Sequence, residues 1–241
     1  MRGLVLGFLP VLASCALAQA TPHASAGVQP ARLALGTDSL AVYFVRGTDT
    51  TQTGVIRDEL TAIDSGGHRL LRRVYWTGDR VLGTRADTIV DEFATLRPVR
   101  VRSHAASGLE FLEFTAGRVA GWLRLPNGDS VAIAGVVPTD VYYAGSFDLV
   151  LRSSSLSSTW TATVPSYLTS ARGVVPLTAR VAGTEEVDGR DCWRVEAHFS
   201  NLPVTFWIDR ETRALRRQVM QPRAGIQILF AAFRPAQKRA A

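Results

Sequence analysis

Short runs of hydrophobic and polar residues in alternation fill most of this chain. Examples are "SLAVYFV" (39–45), "TGVIRDELTAI" (53–63), "LEFLEF" (109–114), "RVAGWLRL" (118–125), "SVAIAGVV" (130–137) and "GIQILF" (225–230). Turn-forming clusters separate them, among them Ser65-Gly66-Gly67, Thr77-Gly78-Asp79, Asn127-Gly128 and Asp188-Gly189. Asn-Gly suits the type I′ hairpin turn, which needs positive φ at both central positions. Runs rich in β-branched and aromatic residues, spaced by about 8–12 residues, predict an antiparallel all-β domain of about 10–11 strands. One segment breaks the rhythm. "GSFDLVLRSSSL" (145–156) has Ser146 at an N-cap position and Phe147, Val150 and Leu151 on one helical face. This predicts a short helix near 146–152, followed by irregular chain to about Gly173.

The alternation also assigns faces. In "CWRVEAHF", Trp193, Val195, Ala197 and Phe199 share one face, opposite Arg194, Glu196 and His198. In "VTFWI", Val204, Phe206 and Ile208 share a face, and Trp207 points to the other beside Thr205. A sheet wetted on one side has no use for a Trp there. Parts of both faces must therefore be covered, by the 146–152 helix, by a hydrophobic partner or by the sheet curling on itself, and a curled antiparallel sheet is the expectation. Trp193, Val195, Phe199, Phe206 and Ile208 would line its concave side. The helix, through Phe147 and Leu151, would close one mouth. These seven residues are the candidate apolar lining.

Two charged segments share a grammar. "TIVDEFATLRPVRVRS" (88–103) and "TFWIDRETRALRRQVM" (205–220) each run from an apolar strand through an Asp (Asp91, Asp209) and a Thr (Thr95, Thr212) into an Arg-bearing strand. Asp and Thr side chains accept hydrogen bonds from nearby backbone N–H groups and shape tight turns. Both segments are expected to be hairpin tips rather than catalytic centres.

At the N-terminus, Arg2, the apolar run "GLVLGFLPVLA" (3–13) and "AQA" (18–20) have the order of a secretory signal peptide, and the run is too short to span a bilayer. "LASC" (12–15) offers a second cut, with lipidation of Cys15 and a lipid anchor as the one link to a membrane. N-terminal mass analysis of native material separates the two starts. The expected organisation is a signal peptide over 1–20, a tether over 21–34, one β domain over 35–233 and a basic tail over 234–241. The expected location is the periplasm or the outer membrane, with secretion the other destination of an exported chain. With Cys15 removed or lipidated, Cys192 has no partner for a disulfide and is expected to be a packed thiol.

The formal net charge of +6 does not point to nucleic acid. Lys238 is the one lysine, and the arginines are scattered along the chain rather than gathered with aromatics in a stripe. No G-x-S-x-G, H-E-x-x-H, P-loop or G-x-G-x-x-G motif occurs. His198 and Glu196 share a strand face, but no third ligand follows at a metal-site spacing. No catalytic residue, metal or cofactor is expected.

The order of "DEFATLRPVRVRS", "SFDLVLRSSSL", "RVAGTEEVDGRDCWRVEAHF" and "VTFWIDRETRALRRQ" resembles a large group of exported bacterial β-proteins of unassigned function. That group is similar to the periplasmic lipoprotein-localisation carriers. The pair "G-x-D-C-W-R-V" (189–195) and "W-I-D-x-x-T-x-x-L-R" (207–216) carries most of the likeness. The resemblance implies an open barrel with a short helix at its mouth and an interior that holds a lipid or acyl chain. A non-catalytic, carrier-like envelope protein follows from it. The alternative is a structural or interaction module with a fully packed interior, an envelope protein partner and no ligand.

Overall fold

A computed structural model describes residues 27–232; the expected signal peptide, Cys15 and basic tail lie outside them. The elements, in chain order, are β1 (Gly36–Arg46), β2 (Asp49–Ser65), β3 (His68–Asp79), β4 (Gly83–Glu92), β5 (Pro98–Ala105), β6 (Gly108–Thr115), β7 (Arg118–Arg124), β8 (Ser130–Val136), β9 (Tyr142–Tyr143), α1 (Phe147–Ser153), β10 (Thr161–Leu168), β11 (Gly173–Val187), β12 (Arg190–Phe199), β13 (Leu202–Asp209), β14 (Leu215–Arg223) and β15 (Ile226–Ala232). All strands belong to one sheet, in the order β8-β7-β6-β5-β4-β3-β2-β1-β15-β14-β13-β12-β11-β10-β9. Two antiparallel meanders, β1–β8 and β10–β15, are thus joined where the first strand pairs with the last, from Leu40 opposite Ala232 to Arg46 opposite Ile226, and β9 adds a short parallel pairing to β10.

The sheet is curled but not closed, because β8 and β9 lie at opposite ends of the order. It rolls like a scroll. One face of β10 puts Ala162 and Val164 into the core around α1, while Tyr167 joins a different cluster with Ile89, Val101, Leu112, Phe114 and Val119. Tyr167 meets Phe114 edge to face at 5.5 Å. The β9–β10 edge is therefore tucked inside the curl, against the inner face of β4–β7. Register shifts at Val42/Tyr43, Val90/Asp91, Val181/Gly183, Trp207/Ile208 and Met220/Arg223 supply the local bends that a rolled sheet needs.

The fifteen strands exceed the expected count partly because β10 falls in the stretch expected to be irregular. Pro165 disguised it. Pro165 lies opposite Pro176. The pairing of β9 begins at Ser166, and that of β12 at Leu177, so neither proline removes a ladder hydrogen bond.

The helix forms where expected and lies inside the curl. All seven of its residues are buried. Leu149, Val150 and Leu151 pack with Leu60 and Leu71 from one meander and with Leu177, Val195, Phe206 and Ile208 from the other. At seven residues it is too short to be stable alone, so packing must hold it. Ser146 occupies the N-cap position but makes no capping side-chain bond. Among the described residues no helix is long and apolar enough to cross a membrane.

Candidate functional site

Inside the curl, α1 is fixed at both ends by buried arginines. Arg73 on β3 donates from Nε and Nη2 to Asp58 on β2 at 2.8 and 2.7 Å. It donates from Nη1 and Nη2 to Asp148 of the helix at 2.7 and 3.2 Å, and from Nη1 to the Gly145 carbonyl at 3.1 Å. Burial works against the charge of Arg73, but Asp148 and Asp58 outweigh it and raise its pKa well above the ordinary value. Arg152, 2% exposed, donates from Nε to the Arg213 carbonyl at 3.1 Å. The helix C-terminal end is thereby attached to the β13–β14 tip.

Asp91 faces the same region from β4 and is 1% exposed, with neither carboxylate oxygen in a well-formed hydrogen bond. Burial pushes it up to about 7, with the Ser146 hydroxyl and Arg73 opposing and Asp148 adding to the rise. The position also corrects the matching of the two tips. Asp209 N–H donates to the Ala214 carbonyl at 3.0 Å, and Glu92 N–H to the Arg97 carbonyl at 2.8 Å. Thr212 Oγ1 accepts from Ala214 N–H as Thr95 Oγ1 accepts from Arg97 N–H. Arg213 and Leu96 both have positive φ, 61° and 57°. The counterpart of Asp209 is thus Glu92, not Asp91. A one-residue offset in a strand turns a side chain to the other face, which carries Asp91 inward.

The β13–β14 tip itself is turn chemistry, as expected. Asp209 Oδ1 accepts from Glu211 and Thr212 N–H, and Oδ2 accepts both Nε and Nη2 of Arg216. Burial alone would raise the Asp209 pKa, but these donors hold it below the ordinary carboxylate value.

Between the two meanders and the start of α1 lies a cavity of about 410 Å³, partly open to solvent. This is within the size range of small-molecule sites. One wall is apolar: Phe199, Leu202, Val204, Phe206, Leu215, Met220 and Phe230, with Phe147 and Leu40. Phe147, Phe199 and Phe206 form a mutual aromatic cluster, with centroids 5.6, 6.2 and 6.5 Å apart. The facing wall is polar, with Arg73, Tyr75, Thr77, Arg85, Asp87 and Asp148. Leu82, at the β3–β4 turn, lines the mouth; it and its neighbour Val81 are 42% and 53% exposed. A second hollow of about 860 Å³ lies among loops and hairpin ends near Gly67, Phe93 and Thr139.

Of the seven expected lining residues, the structure brings Phe147, Phe199 and Phe206 to the cavity. Leu151, Val195 and Ile208 are fully buried in the core and do not line it, because the helix covers that part of the sheet. Trp193 packs on the rim of the core at the other end, beneath the Arg210 guanidinium at 4.6 Å. The polar wall was missed. Its strand "LLRRVYWT" carries Arg73, Tyr75 and Thr77 at alternate positions, but inward-facing charge looks the same in sequence as solvated charge.

The outer face answers the question of Trp207. It is 9% exposed and covered by Val187, Cys192 and Val219, with the Arg217 guanidinium 5.5 Å from the ring centroid. Among the described residues, cross-strand neighbours do the covering. Burial, together with the charge of Asp209, pushes the Cys192 thiol up to about 11, which does not suit a nucleophile. Glu196 is engaged by Arg180 at 2.6 Å and Arg194 at 3.6 Å rather than by His198. No group of three or more His, Cys, Asp or Glu that could hold a metal occurs among the described residues.

Neither a protein-family model nor a curated protein matches the chain. Solved structures do. A crystal structure of a β-barrel-like protein of Domain of Unknown Function DUF1849 from Brucella abortus has a TM-score of 0.50 at 12% identity, covering 83% of this chain and 98% of that one. The likeness is one of fold. A Vibrio parahaemolyticus domain named for outer membrane lipoprotein sorting is matched over 88% of this chain and 90% of its own at 11% identity, with a TM-score of 0.23; nothing is built on it. The open curled sheet is thus a fold that a solved protein shares.

Proposed function

We propose that the protein is an exported, non-catalytic envelope protein that binds an apolar chain in the cavity between its two meanders. The observation that carries this reading is the cavity itself, about 410 Å³ with the Phe147–Phe199–Phe206 cluster on its wall. A packed envelope module would have filled that space, since protein interiors approach crystal density. The exposed Val81 and Leu82 beside the mouth give an apolar chain a surface to enter along. Export rests on the N-terminal sequence pattern.

The test is uptake of N-phenyl-naphthylamine, a neutral apolar dye, by the folded protein. Saturable uptake is expected in the wild type and none in Phe206→Asp, because covering an unpaired carboxylate with an apolar ligand strips it of water at a large cost. Circular dichroism of the variant must match the wild type. Uptake that survives a folded Phe206→Asp would place binding elsewhere.

A further inference from the structure

The polar wall of the cavity says what the other end of the ligand is. On the proposal that the cavity binds an apolar chain, we infer that its ligand is an amphiphile whose head donates hydrogen bonds, with a primary ammonium the best match, and that Asp87 receives it. Three observations lead there.

First, Asp87 is 4% exposed, lines the cavity, and leaves Oδ1 without a hydrogen-bond partner among the described residues. Its other oxygen accepts from Arg85 Nε at 2.7 Å. A buried carboxylate oxygen without a donor is expensive, and a ligand donor in the cavity removes that cost.

Second, the buried arginine of this wall, Arg73, is committed. Arg73 spends Nε, Nη1 and Nη2 on Asp58, Asp148 and the Gly145 carbonyl. Arg85 is tied through Nε to Asp87, and its side chain is 45% exposed. An anionic head would have to compete with Asp58 and Asp148 for Arg73, and at Arg85 it would sit beside the Asp87 carboxylate.

Third, acid continues behind Asp87. Cross-strand registers place Asp58, Tyr75, Asp87, Ser103 and Glu110 in one row across β2–β6. Glu110 Oε2 accepts from Thr169 at 3.1 Å, while Oε1 has no partner. Along this row two carboxylates follow Tyr75 with Arg85 as the neighbouring cation. The local field therefore favours positive charge, against the formal +6 of the whole chain. Non-specific attraction would select anionic amphiphiles, so the two sources of affinity have opposite signs.

The experiment displaces N-phenyl-naphthylamine from the wild-type protein with decylamine, decanol and decanoate, at near-neutral pH and below their micelle concentrations. Decylamine is expected to displace the dye at about tenfold lower concentration than decanoate, the effect of a charge-assisted hydrogen bond. Decanol is expected to fall between. Decanoate equal to or better than decylamine overturns the inference and leaves the cavity reading standing. Failure of all three to displace dye overturns the cavity reading itself. Asp87→Asn should abolish the amine preference; a preference that persists in the folded variant overturns the assignment to Asp87. If Asp87→Asn does not fold, Arg85→Gln decides. It keeps a donor for Asp87 and removes the competing cation, so the amine preference should widen, and an unchanged or narrowed preference is contrary.

Discussion

Along β12 and β13 the residues turned inward are Trp193, Val195, Ala197, Phe199, Val204, Phe206 and Ile208. Along β3 and β4 they are Leu71, Arg73, Tyr75, Thr77, Arg85, Asp87, Ile89 and Asp91. The two regions share the alternation, the meander and the curl, yet one inner face is hydrocarbon and the other carries charge. The apolar face needs only to be covered, and α1 covers it. The charged face must be neutralised group by group, and Arg73 does most of this by binding the helix and β2 together. The oxygens that Arg73 does not hydrogen-bond, those of Asp91 and Oδ1 of Asp87, are where the interior can respond to proton and ligand. The difference assigns shape to one half of the molecule and polarity to the other.

The largest expected effect comes from breaking the charged side. Arg73→Met leaves Asp58 and Asp148 buried without their partner and should cost on the order of 3–5 kcal/mol in urea unfolding. Adding Asp58→Asn and Asp148→Asn to that variant should recover most of the loss, because the cost lies in the orphaned charges. A loss below about 1 kcal/mol for Arg73→Met would mean that the network does not hold the helix. A smaller effect is set by Asp91. Its pKa is raised from 3.8 to about 7 in the folded protein. The folded state therefore holds a proton that the unfolded state has released, and stability is complete at low pH and is lost as pH rises through 7. Asp91→Asn should remove that slope and raise stability above pH 7 by on the order of 2–4 kcal/mol. Parallel stability-versus-pH curves for variant and wild type would refute the shift. The smallest effect belongs to the outer turn. Asp209→Ala removes a turn cap and an Arg216 pair and should cost on the order of 0.5–1.5 kcal/mol, a few degrees in melting temperature, with dye uptake unchanged.

The apolar half of this contrast was legible in the sequence. The strand around Trp193 alternates cleanly, that around Phe206 does so except at Trp207, and the one helical segment stands out against them. The scroll was not legible, because β10 hides behind Pro165 and Ser166 and β9 is two residues long. Nor was the charged half. Inward and outward arginines alternate in "HRLLRRVYWTGD", where Arg72 is exposed and Arg73 is buried, and only the partner strands decide which is which. The tip at Asp91 shows the limit most sharply. Its residue types match the tip at Asp209, but the register is displaced by one, and that single step separates a buried carboxylate held by turn donors from one turned away from them.

Whether the cavity is a site for an apolar chain is tested most directly by a homologous series of n-alkyl amines read by dye displacement. Each added methylene that enters the cavity should contribute about 0.8 kcal/mol, close to fourfold in affinity, until the space is full and the series levels off. A series that is flat from the shortest member, with the protein folded throughout, would contradict the account and leave a packed envelope module as the better description.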